Sequence, residues 1–87
     1  MSFNIEELKK KIIYRSNYRG TKEMDALISS FTKKVINDLN TEELKDLSNL
    51  LDIDDENLYK HNQGLSTTVD IKENKVSNMF KKFKYIK

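Results

Sequence analysis

The sequence has no cysteine, no proline and no tryptophan, and only two glycines. Without cysteine there are no disulfides, no thiolate metal sites and no thiol catalysis. Without proline, and with so little glycine, few elements are interrupted by backbone chemistry. No apolar run approaches the roughly 18 residues of a membrane span. The stretch MSFNIEELKK has no apolar core of a secretory signal, so the chain is expected to stay in the compartment where it is made. Eighty-seven residues suit a single domain. A chain of this length buries only about 60% of the surface its unfolded form exposes, which leaves little room for a deep pocket.

What is present is charge and periodicity. Hydrophobic residues are 37% of the chain and charged residues 34%, the balance of a strongly amphipathic helical protein. The net charge of +2 conceals a pattern. Residues 1–35 carry eight Lys/Arg against four Asp/Glu, residues 36–70 two against nine, and residues 71–87 six against one. Basic and acidic parts can attract each other within one bundle, or present a basic face to nucleic acid or an acidic face to a partner. The acidic middle argues against nucleic acid, whose binders interleave aromatics with a basic stripe.

Apolar stripes place the helices. Ile5, Leu8 and Ile12 share one helical face, with Asn4 as cap and Glu6 and Glu7 in the first turn. Met24, Leu27, Ile28, Phe31 and Val35 form the clearest stripe in the chain. Asn40 with Glu43 has the spacing of a capping box ahead of Leu44, Leu47 and Leu51. Asp54 caps a short helix containing Leu58 and Tyr59 that ends before Gly64. Leu65 to Asp70 reads as a loop, and Val76, Met79, Phe80 and Phe83 stripe a basic last helix. The fold expected is all-α: a small antiparallel bundle of about five helices, four substantial and one short, joined by short connections. Residues 1–64 form its core, and residues 65–87 add a loop and a basic helix to the same domain.

Catalytic patterns are missing. His61 is the only histidine, and it reads as a surface or capping residue. Glu42/Glu43 and Asp54/Asp55 sit where helix dipoles favour acids. The acidic run from Asp52 to Glu56 lacks the glycine and spacing of a calcium loop, and no glycine-rich phosphate loop exists. No metal site is expected, and the chain is expected to act by binding.

The bend between the first two helices, Tyr14 to Asp25, is the unusual stretch. Gly20 suits a left-handed position after a helix, and Thr21 suits the next N-cap with Glu23 in the first turn. Arg15 and Arg19 are the only arginines among sixteen basic residues. Their planar forks recognise carboxylates and carbonyls as lysine cannot. The residues alone allow two readings: an Arg–Glu clamp across the bend, or a surface that binds a partner.

Tyr14-Arg15-Ser16, with Arg19-Gly20-Thr21-Lys22-Glu23-Met24-Asp25, resembles the signature of the succinate dehydrogenase flavinylation factors, whose hallmark is R-G-x-x-E. The likeness continues at Phe31, at Leu39-Asn40-Thr41-Glu42-Glu43 and from Leu50 to Tyr59, covering roughly residues 5 to 64. The family commonly has a tryptophan where Lys60-His61 stands, and a proline where Asp54-Asp55 stands.

The resemblance implies a five-helix bundle that acts as an assembly chaperone. Such factors bind the flavoprotein subunit of succinate dehydrogenase, in some cases that of fumarate reductase, and promote covalent attachment of FAD. They act on FAD in the partner, with no cofactor of their own stably bound and no catalytic residues. The implied setting is the bacterial cytoplasm or the mitochondrial matrix. Arg19, Gly20 and Glu23 match the motif, and Arg15, Lys22 and Asp25 are expected beside them on the partner-binding surface. The competing reading is a regulatory or nucleic-acid-binding helix-turn-helix module using Ser29, Ser30, Lys33 and Lys34, or an antitoxin-like protein-binding module.

Overall fold

The computed structural model describes residues 4–17 and 19–84. It contains five helices: α1 (Ile5–Ser16), α2 (Lys22–Val35), α3 (Thr41–Leu51), α4 (Asp55–Asn62) and α5 (Lys75–Lys82). No strand occurs among the described residues. Two helices are short rather than one, since α4 and α5 each have eight residues. The α4–α5 connection, residues 63–74, is also longer than the short links expected of an up-and-down bundle.

Each helix begins where a side chain satisfies its orphan amides. The Asn4 side chain accepts from the Glu6 and Glu7 amides, and Thr21 Oγ1 from the Met24 amide at 3.1 Å. Asn40 and Glu43 form the reciprocal capping box, with bonds of 2.9 and 3.0 Å. Asp54 caps α4 through the Asn57 amide. Asn74 caps α5, beyond the caps evident in the sequence, and Ser77 completes a second reciprocal box. The serine hydroxyl at that third position takes the place that glutamate fills in the usual box.

The stripes meet in one core. All five α2 stripe residues are buried, together with Ile12, Leu44, Leu47, Leu50, Leu51, Leu58, Val76 and Phe80. Phe31 lies at its centre, with ring centroids 5.1 Å from Phe80 and 5.4 Å from Phe83. Aromatic pairs at such separations add to simple burial. α1 packs against α2 and α3, and α5 against α3 and α4. The long α4–α5 connection is tied down by Asn57, whose side chain bonds both the amide (2.8 Å) and the hydroxyl of Thr68. Asn62, almost fully buried, donates to the Phe80 and Phe83 carbonyls at 2.8 Å each and closes the end of α5. His61 is half-buried: Nε2 lies 2.8 Å from the Ser77 carbonyl, and the ring stacks on Phe80. It joins α4 to α5 and is more than a surface residue.

Candidate functional site

The bend begins at the end of α1, where the Asn17 amide donates to the Tyr14 carbonyl. Ser16 Oγ and Asn17 Nδ2 both donate to the Ile13 carbonyl, at 2.7 and 3.0 Å, and stop the helix. α2 starts at Lys22 under the Thr21 cap. Between them, Arg19 turns inward, with only 12% of its side chain exposed.

Its guanidinium is engaged on every nitrogen. Nε donates to Asp55 Oδ1 at 2.8 Å. Nη1 donates to the carbonyls of Arg15 (3.3 Å) and Leu51 (3.2 Å), and Nη2 to that of Ile53 (3.1 Å). Arg15 and Leu51 stand in the last turns of α1 and α3, where carbonyls lack intrahelical donors and the dipole favours a cation. One rigid fork therefore closes two helix ends and fixes the α3–α4 link. Lysine has neither the reach in two directions nor the fixed geometry for this.

The other oxygen of the Asp55 carboxylate accepts from the Gly20 amide at 2.7 Å. This changes the reason for glycine. Gly20 is not in the left-handed region; Gly64, at φ 76°, is the described glycine that is. A Cβ built at Gly20 would meet Asp55 Oδ2 at 3.0 Å. Glycine is favoured there by the close approach of a carboxylate, which a methyl group would have to displace by a few tenths of an ångström, and not by backbone angle.

Arg15 makes a parallel link, donating to Ser48 Oγ at 3.0 Å and ion-pairing with Asp52. Both arginines thus reach from the α1–α2 bend to the α3–α4 junction. The Arg–Glu clamp across the bend is corrected: the clamp exists, but its acids are Asp52 and Asp55, and Glu23 takes no part. On the sequence, Asp54 reads as a helix cap and the Asp54/Asp55 pair as acids that the helix dipole favours, which leaves Asp55 without an arginine partner. The available signal was the matched spacing of two arginines and two nearby acids in a chain that otherwise uses lysine. The acidic run divides its labour, with Asp52 and Asp55 on arginines and Asp54 on the α4 cap. Asn57, bonded to Asp54, holds that carboxyl below its ordinary range.

The remaining expected residues fall into two sets. Lys22 and Glu23 are exposed, and neither has a hydrogen-bond or ion-pair partner among the described residues. Asp25 is half-buried, and its Oδ1 is enclosed without a hydrogen-bond partner among the described residues. The structure therefore brings Arg15, Arg19 and Gly20 into the scaffold of the bend and leaves Lys22 and Glu23 on its surface. No group of three or more His, Asp or Glu among the described residues is placed to hold a metal ion. No described helix is long and apolar enough to cross a membrane.

Fold and site together define a small all-α protein built around an arginine-clamped interhelical bend. The chain belongs to the family described as flavinator of succinate dehydrogenase, which matches residues 10–84 and so includes α5 as well as the bend. Among curated proteins, the FAD assembly factor SdhE of Acetobacter pasteurianus is 34% identical over 55 residues, covering 63% of this chain and 50% of that protein. The match thus spans about half the length of that relative. No solved structure matches the chain.

Proposed function

We propose that this protein is a non-catalytic assembly factor that binds the flavoprotein subunit of succinate dehydrogenase and promotes covalent attachment of FAD to it. Family membership supports the reaction served. The observation that carries the reading to particular residues is the exposed Glu23 carboxylate, without a partner among the described residues, on a bend that two arginine links, one enclosed and one exposed, hold fixed. A charge with no partner to give up among the described residues, on a backbone that does not have to reorganise, pays its desolvation on docking but no internal rearrangement.

The chain's contribution is selective binding of one flavoprotein conformer. If that conformer aligns the accepting side chain with the flavin, alignment alone lowers the barrier by several kcal/mol. The flavoprotein and its flavin then carry the covalent step. Lys22 and Glu23 make the contact; Arg15, Arg19 and Gly20 position them. Co-expression with the flavoprotein subunit of the same organism tests this, read by in-gel flavin fluorescence after denaturation. The chain should raise the fluorescent fraction. Equal fluorescence with and without it would refute the proposal.

A further inference from the structure

A groove of about 230 Å³ runs from the first turn of α2 to the exposed side of α4. Met24 and Leu27 supply its apolar floor, and Tyr59 and Gln63 of the α4 side flank it. Tyr59 is 51% exposed, and its hydroxyl has no partner among the described residues. Glu23 and Lys84 bring opposite charges to the lining, yet no ion pair joins them to each other or to any other described residue.

We propose that this groove anchors the flavoprotein by taking one apolar side chain from a segment that carries a cation toward Glu23 and an anion toward Lys84. The inference rests on the function proposed above and adds the partner's local chemistry. Three observations support it. Glu23 belongs to both the bend and the groove, so one docked segment covers them continuously. The volume lies below the roughly 300–1,000 Å³ of sites that enclose a drug-sized ligand, which favours a side chain over a flavin. A half-exposed tyrosine over an apolar floor, rimmed by polar groups, has the composition of an interface hot spot. These two charges, unpaired among the described residues, fix the polarity of the docked segment, since the reversed segment places like charges together.

The test is calorimetric titration of the purified chain into the purified flavoprotein subunit, with a thermal melt of each variant. Tyr59→Ala should melt like the parent and bind about 30-fold more weakly, the loss of a contact worth about 2 kcal/mol. Lys84→Glu should also weaken binding, with the loss largest at low salt. Parental binding together with Tyr59→Ala binding within about threefold of it overturns the groove and leaves the proposed function standing. No binding by the parent, with no effect in co-expression, defeats the functional reading, and the groove falls with it. Two other occupants also overturn the proposal: a dimer of the isolated chain that Tyr59→Ala abolishes, or tighter flavoprotein binding by a chain ending at Lys84, which would make residues 85–87 the occupant.

Discussion

The Arg19 guanidinium and the Asp55 carboxylate meet at 2.8 Å, and the second oxygen of that carboxylate holds the Gly20 amide at 2.7 Å. A single acid at the start of α4 thereby sets both the side chain and the backbone of the bend before α2. Because the pair is largely enclosed, its loss matters more than that of a surface ion pair.

Asp55→Ala should accordingly destabilise the protein by roughly 1.5–3 kcal/mol, the range for hydrogen bonds to charged groups. Arg19→Lys should be destabilising as well, because an ammonium cannot reach the carboxylate and the carbonyls of both helix ends together. Urea titrations of both variants check this. Parental midpoints would show that the clamp is incidental.

Gly20→Ala separates two explanations of the glycine. If the new methyl pushes the Asp55 carboxylate off the amide, the variant loses about 1 kcal/mol. The same substitution made in Asp55→Ala should then be nearly free, since neighbouring sites sharing one interaction are not additive. An undiminished cost in that background would point to backbone strain instead.

Much of this was readable in the chain. Five helices, four of their caps and the α2 stripe followed from local periodicity and capping chemistry, both of which act within a few residues. The site was legible only in part. Glu23 announced itself by lying off the Met24–Leu27–Ile28–Phe31 stripe. The side-chain partners of Arg15 and Arg19 did not, because they lie 33 to 37 residues away and depend on how α1 packs on α3. The reason for Gly20 was missed on the same ground: its constraint comes from Asp55, across the fold, while local reasoning supplies only the φ argument.

Phe31→Ala should cost about 3–5 kcal/mol, since Phe31 is 1% exposed and touches both Phe80 and Phe83. Denaturant unfolding followed by circular dichroism measures it. A cost below about 1 kcal/mol would place the centre of the core elsewhere.

Acid should weaken the helix starts. The Asn40 amide, and then Lys75, 3.0 Å away, hold the Glu43 carboxyl below its ordinary value, as Asn57 does for Asp54. Groups with lowered values contribute stability that is complete above the ordinary carboxylate range and is lost as pH falls through the lowered values. Glu43→Gln and Asp54→Asn should therefore flatten the decline in melting temperature below that range. An unchanged acid limb in both variants would contradict these assignments.

The exposed face of the bend is tested most directly by Glu23→Ala. As a first-turn acid with no partner among the described residues, Glu23 contributes only about 0.3–1 kcal/mol to its helix. Buried against a donor on the flavoprotein, its removal costs about 2–5 kcal/mol of binding. Melting temperature and flavoprotein affinity should be measured on one purified sample of the variant. The expected result is a nearly parental melt with complex formation weakened by tens to thousands of fold. A lowered melt with affinity reduced only in proportion, or a parental melt with parental affinity, would contradict the account.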